Sequence, residues 1–221
     1  MKPRLWLSWS SGKDSAWALH ALRRQNGYEI AGLLTTINET ASRVAMHAVR
    51  ETLLERQAEA AGLPLIKVPI PYPCPNEAYE AAMADAMARA KREKIEAVAF
   101  GDLFLEDVRR YRVEKLAPTG ITPVFPIWGL ETTALAREMV TAGLRAHVTC
   151  VDPKQLDPKF AGRTFNADFL DDLPDGVDPC GEKGEFHSFA WAGPMFSAPI
   201  KVVPGETVAR DGFVFADLLA G

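Results

Sequence analysis

The chain has 221 residues, 48% of them hydrophobic and 24% charged, with a formal net charge of −4 at pH 7. That length suits one α/β domain, with or without a small appendage, and the composition provides a sizeable core. The acidic balance gives no help to non-specific nucleic-acid binding, although Arg109, Arg110 and Arg112 leave a local basic patch open, and no apolar run approaches membrane-span length.

In chain order, Leu5-Trp6-Leu7-Ser8-Trp9 reads as a strand that stops at Ser10-Ser11-Gly12, and Lys13, Asp14 and Ser15 then open a helix to about Arg24. Tyr28 to Ile37 is a second strand. The spacing of Met46, Val49, Leu53 and Ala60 predicts a helix from about Val44 to Ala61, closed by Gly62. Leu65 to Val68 is a third strand, followed by a proline-rich turn. An alanine-rich helix capped by Asn76 carries Tyr79, Met83, Ala86, Met87 and Ala90 on one side. Ala97 to Phe100 is a fourth strand running into Gly101-Asp102. A helix over Glu131–Ala142 and a strand over His147–Val151 complete the alternation.

Such alternation predicts an α/β fold, a doubly wound, Rossmann-like parallel sheet covered by helices on both faces. The expected boundary lies at residue 152, with 1–152 as the nucleotide-binding domain and 153–221 as a smaller substrate-side region. The latter is rich in Asp, Pro and Gly, has a short helical segment near Asn166–Leu170, and ends in a β-hairpin turning at Asp211-Gly212. Ligands of open parallel sheets bind at the carboxyl ends of the strands. The turn after Ser10, the Thr35–Asn38 segment and Gly101-Asp102 should therefore converge on one crevice.

The turn from Ser10 to Ser15 carries the chemistry. Small residues let a phosphate approach the backbone, the helix start supplies unpaired N–H groups, and Lys13 and the serine hydroxyls add donors. A Walker A loop would need G-x-x-x-x-G-K-[ST], and only Gly12-Lys13 fits it. The Ser-x-Gly-Lys-Asp-Ser order instead resembles the pyrophosphatase loop (PP-loop) of enzymes that cleave ATP between the α- and β-phosphates, with Ser11 where those enzymes usually have glycine.

Further segments make the resemblance specific: Gly101-Asp102-Leu103 with Arg109 and Arg112, Phe125-Pro126-Ile127-Trp128-Gly129, Gly181-Glu182-x-Gly184-Glu185-Phe186, and Asp211-Gly212-Phe213. Together they look like the PP-loop branch that includes diphthine–ammonia ligase, over nearly the whole chain. That resemblance implies a PP-loop fold of the HUP type and an AMP-forming ligase. The family's reaction amidates diphthine, a modified histidine of elongation factor 2, with ATP and ammonium, releasing AMP and pyrophosphate.

A carboxylate accepts ammonia poorly, because oxide would have to leave. Adenylation supplies a leaving group, and the protein's part is positioning and charge stabilisation. Ser10, Ser11, Gly12, Lys13 and Ser15 are assigned to the pyrophosphate, Thr35 to the neighbourhood of the adenosine, and Gly101 and Asp102 to the nucleotide crevice. Asp14 is the first candidate for Mg²⁺ and Asp102 the second, its alternative being a turn-capping aspartate. Glu182 and Glu185, in a glycine-punctuated loop with His187, are candidates to take a proton from ammonium, the alternative being a solvated acidic loop. Lys13 and Asp14 complete the catalytic set. Glu106, Arg109 and Arg112 form either a salt-bridged helix face or an anion clamp; His47 and Arg163 have no fixed role.

Cys74, Cys150 and Cys180 are too dispersed for a disulfide framework or a zinc pair, and Cys150 reads as core. Two other function classes stay open: a non-catalytic ATP or AMP-binding regulator, and a tRNA-modifying PP-loop enzyme. The latter predicts a basic surface and paired cysteines. The expected partners are ammonium and a carboxylate acceptor, with diphthine on elongation factor 2 as the acceptor that the resemblance implies. The N-terminus carries no signal-type apolar stretch, so the cytoplasm is the expected compartment. The oligomeric state is open.

Overall fold

The computed structural model describes residues 1–38 and 49–221, and the backbone of residues 43–44. Two sheets share the chain. The first is built on five parallel strands: β1 (Arg4–Ser8), β2 (Glu29–Asn38), β4 (Leu65–Ile70), β5 (Ala97–Ala99) and β6 (Thr122–Val124). Their order is β4-β2-β1-β5-β6, and the two-residue β3 (Arg43–Val44) adds antiparallel to the end of β2. The chain winds outward from β1 to β2 and β4, then returns to lay β5 and β6 on the other side of β1. The strand order therefore reverses between β1 and β5.

Alternation along β1 divides the burial. Leu5 and Leu7 join one core with α1 (Lys13–Gln25), α2 (Glu51–Ala61) and α5 (Thr132–Thr141). Trp6 faces the other core, with Leu34, Ile66, Val68 and Val98, covered by α3 (Asn76–Arg92) and Leu116 of α4 (Glu106–Leu116). The sheet is thus doubly wound, and each face buries its own apolar stripe.

The second sheet is antiparallel. Its centre is β7 (Arg145–Val151), paired with β9 (Phe186–Ala192) along one edge and with β8 (Thr164–Phe165) and β11 (Phe213–Ala220) along the other; β10 (Val202–Arg210) extends β11. The short α6 (Ala167–Asp171) starts at Asn166, whose side chain accepts from the Phe169 N–H. The hairpin turn is Asp211-Gly212, with φ of 52° and 84°, the pair of positive values that a two-residue type I′ turn requires.

Three expectations are corrected here. The His147–Val151 strand does not extend the parallel sheet; the fifth parallel strand is Thr122–Val124, three residues long with Pro123 inside, tolerated because the strand lies on the sheet edge. The helix expected from Val44 begins at Glu51, because Val44 pairs with Ile37 as β3. Asn76 is the first helical residue of α3, with Pro75 at the cap.

The two sheets meet at the β1–α1 turn. Ser11 sits in the left-handed region at φ 65°, and its carbonyl accepts from Ala190 N–H of β9 at 3.0 Å. Gln57 of α2, wholly buried, donates to the carbonyls of Ser11 at 2.9 Å and Ala190 at 2.6 Å, and accepts from the Trp9 indole at 3.0 Å. One amide side chain therefore ties α2, the turn and the second sheet together.

Gln57→Leu is expected to strand the Trp9 indole N–H and the Ala190 carbonyl, costing about 2–4 kcal/mol, which thermal unfolding would register as a Tm lower by roughly 5–12 °C. Ser11→Gly should move stability the other way. Relief of the left-handed strain is worth about 0.5–1 kcal/mol, a fraction of its full cost, and an unchanged or lower Tm would contradict that account.

Candidate active site

A crevice of about 280 Å³ lies at the carboxyl ends of β1 and β5, where the strand order reverses. The β1–α1 turn supplies Ser10, Lys13, Asp14 and Ser15, the segment after β5 supplies Gly101 and Asp102, and the loop before β9 supplies Glu182. These seven expected residues come together. Arg112 of α4 and His187 and Ser188 of β9 complete the walls.

The turn is built for close approach. Gly12 occupies the cap of α1 in extended backbone, so the first turn of the helix opens toward the crevice with its dipole. Gly101 packs against that same turn: a Cβ there would lie 3.0 Å from the Asp14 carbonyl carbon and from Ser15 N. Ser10 Oγ accepts from Gly12 N–H at 3.3 Å and lies 3.2 Å from Ser15 Oγ. The Ser11 hydroxyl bonds back to the Ser10 carbonyl, and neither Ser11 nor Gly12 lines the crevice.

Lys13 is 2% exposed. Its ammonium donates to both Asp14 oxygens at 2.9 Å and to the Cys180 carbonyl, and lies over the Phe165 and Phe186 rings. Burial opposes its charge, but Asp14, Cys180 and Asp178 together offset that opposition and raise the Lys13 pKa. Its backbone N–H donates to Ser188 Oγ at 3.2 Å. The lysine thus reaches across to the second sheet, besides lining the crevice.

Asp102 is held by Arg112, which donates from Nε and Nη2, the latter at 3.0 Å to Oδ1. The Arg112 guanidinium also lies 4.3 Å from the centre of the Phe100 ring. Among the described residues, no group of three or more His, Cys, Asp or Glu side chains gathers as a metal cage.

The loop from Asp178 to Glu185 is braced by its own acids. Glu185 is buried and accepts from the N–H groups of Asp178 and Lys183, both at 3.0 Å; Asp178 accepts from Glu182 N–H at 2.8 Å. Gly181 and Gly184 take φ of 67° and 87°. Glu185 is therefore a brace that does not line the crevice, whereas Glu182 faces into it. Glu182 accepts from Leu103 N–H at 2.8 Å. Burial first, and then the charges of Asp14 and Asp102, push its carboxyl up to about 7, against the Leu103 hydrogen bond and Lys13. Burial and the Lys13 charge push His187 down to about 4, so its imidazole is neutral near pH 7.

Other candidates lie elsewhere. Thr35 is buried in β2 with a hydroxyl that has no hydrogen-bond partner among the described residues, and it does not line the crevice. Arg109 stacks over Trp128 at 4.7 Å and Phe125 at 5.4 Å, which makes Trp128 a packing residue. Glu106 is exposed at the start of α4, and Arg163 pairs with Asp172 at 2.7 Å. His47 falls outside the described residues. Cys150 and Cys180 are buried, and burial raises both thiols, Cys150 to about 12.

Sequence reasoning passed over Ser188 and Gln57, although each left a signal. Ser188 alternates with Phe186 and Ala190 on a strand of buried residues, and Gln57 stands one turn after Leu53 on the buried stripe of α2. A polar residue in a stripe that otherwise buries carbon has to find a partner.

The comparisons with known proteins follow this architecture. Residues 4–120 match the family model of the diphthamide synthase N-terminal domain, and residues 131–216 that of the diphthamide synthase C-terminal domain. Human diphthine–ammonia ligase is 31% identical over 132 residues, 57% of this chain and 49% of the human protein. The bovine protein of that name is 27% identical over 179 residues, 74% of this chain and 67% of its own length. The zebrafish (Danio rerio) protein is 30% identical over 175 residues, 72% of this chain and 68% of its own length. The chain thus spans about half the length of the human relative and about two thirds of the other two. With the two domain models matched in order along the chain, this protein belongs to the diphthine–ammonia ligase family of PP-loop proteins.

Proposed function

We propose that the chain is an ATP-dependent, AMP-forming ligase that converts a carboxylate to an amide with ammonia, and that its acceptor is diphthine on elongation factor 2. The observation that carries this reading is the meeting of a phosphate-type turn with the Glu182 carboxyl, titrating near neutrality, in one crevice. A nucleotide regulator would need the first and have no use for the second. The tRNA-modifying alternative gains nothing from Cys150 and Cys180, which are buried as high-pKa thiols. Among the described residues no helix is long and apolar enough to cross a membrane, and we assign the protein to the cytoplasm.

In the first step an acceptor carboxylate oxygen attacks the α-phosphorus of ATP. The new O–P bond forms as the bond to pyrophosphate breaks, giving an acyl-adenylate. Ser10, Ser15 and the open first turn of α1 hold the phosphates, an anion site of backbone donors and dipole. Lys13 sets the position of Asp14 and adds positive charge from beneath the turn. In the second step ammonia forms the C–N bond as the C–O bond to AMP breaks, and the new amide nitrogen sheds one further proton to solvent. Glu182 takes the proton that ammonium must lose to become a nucleophile, and its carboxyl near 7 is matched to that task.

Asp14 and Asp102 fit Mg²⁺ by donor type, since that ion favours a few carboxylates with phosphate oxygens and water. Bound there, it would neutralise charge on the phosphates. Each carboxylate is already shared with a cation, Asp14 with Lys13 and Asp102 with Arg112, so each would ligate the ion through lone pairs that those bonds leave free.

The deciding experiment is product analysis with ATP, Mg²⁺, ammonium and diphthine-bearing elongation factor 2. AMP and pyrophosphate, formed only with the factor present, are expected; ADP, or no cleavage at all, would remove the ligase reading. Asp14→Ala should lower AMP formation about 10²–10³-fold, the usual cost of losing a transition-state charge contact.

The pH profile tests Glu182 separately. Its raised pKa means that the carboxylate base is present above about 7 and lost to protonation below it. At constant ammonium ion concentration, turnover should therefore rise with pH to a plateau just above neutrality. Glu182→Gln should abolish that limb and reduce kcat by about 10²–10⁴-fold. An unchanged limb in the variant would assign the titration to another group.

A further inference from the structure

A second cavity, of about 330 Å³, opens between α3 and α4 over the end of β5. Its walls are carbon-rich: Tyr79, Met83 and Met87 from α3, Val98 and Phe100 from β5 and its end, and Tyr111 from α4. The volume falls at the lower end of small-ligand sites, about 300–1,000 Å³. The cavity shares two lining residues with the crevice, Phe100 and Arg112.

Arg112 is the informative one. It gives Nε and Nη2 to Asp102 and lays its plane on Phe100, while the two N–H groups of Nη1 have no acceptor among the described residues. A guanidinium with one edge satisfied and donors remaining on the other is a carboxylate receptor. The crevice itself, at about 280 Å³, has to hold phosphates beside Lys13, Asp14 and Glu182, which leaves little room for the body of an acceptor.

We propose that the α3–α4 cavity is the acceptor subsite. It holds the apolar or aromatic arm that carries the reacting carboxylate, and Arg112 receives that carboxylate at the wall the two cavities share. The assignment rests on the ligase reading and adds to it the residues that select the acceptor. Adenosine is the poorer occupant. The backbone amides of α3 and α4 are engaged within the helices, so a purine edge would meet mainly side-chain carbon there.

The test fills the cavity and reads both substrates. In Met83→Trp, the KM for diphthine-bearing elongation factor 2 should rise at least tenfold while the KM for ATP stays within twofold. Should that variant fail to fold, Ala84→Trp on the exposed rim of the same cavity replaces it. A probe independent of turnover is 3-(imidazol-4-yl)propionate, an aromatic arm ending in a carboxylate. Its saturable NMR shifts should be lost in the filled variant and in Arg112→Gln. A raised KM for ATP with an unchanged acceptor KM would overturn the proposal and give the cavity to the nucleotide, and probe binding unaffected by filling would overturn it as well. Probe binding that filling abolishes, with no AMP formed by the unaltered protein, would instead overturn the ligase reading and leave a carboxylate site without its role as acceptor subsite.

Discussion

A buried ammonium has to be compensated or it will not stay charged, and Lys13 is compensated from two directions. Asp14, its neighbour on α1, supplies the opposite charge, and the Cys180 carbonyl supplies a dipole from the loop of the second sheet. Removing one partner from such a pair is far more damaging than the pair's net contribution, because the survivor keeps its desolvation penalty. The phosphate turn and the carboxylate loop are therefore constrained as one body. The contacts of Ser188, Gln57 and Ala190 with the same turn work within that constraint.

The charges in the crevice then sort themselves. Both of its cations already have a carboxylate partner, the buried Lys13 in Asp14 and the half-buried Arg112 in Asp102. Glu182 is the acid with no cation of its own, and it stands close enough to the other two carboxylates to feel their repulsion. Its carboxyl is raised first by burial and then by the two neighbouring carboxylates, with Lys13 opposing them. His187 shows the same field from the other side: half-buried and beside Lys13, it stays unprotonated.

Local signals carried the parts of this arrangement that sequence could convey. The turn from Ser10 to Ser15 is readable because an apolar run, small residues and a helix start follow one another directly, and the Asp211-Gly212 hairpin because only a few residues tolerate positive φ. The third dimension was harder. Nothing in the His147–Val151 run distinguishes a parallel strand from the centre of an antiparallel sheet, since both bury a continuous apolar segment. Thr122–Val124 is too short and too proline-broken to register as a strand. Ser11 and Glu185 carry the motif, yet the hydroxyl turns back to Ser10 and the carboxylate to two backbone amides. A motif names residues; it does not say which of them brace and which face the substrate.

The loop before β9 has a kinetic consequence. Fixing one residue's backbone costs about 1–2 kcal/mol in conformational entropy, and a flap that orders only around its ligand meets that cost at each encounter. Here Asp178 and Glu185 hold the loop through its own amides, with Gly181 and Gly184 taking the bends. The ordering is complete when the chain has folded. Incoming molecules find Glu182 already in position, so the rate of their exchange is governed by diffusion and the shedding of water rather than by the opening and shutting of this segment.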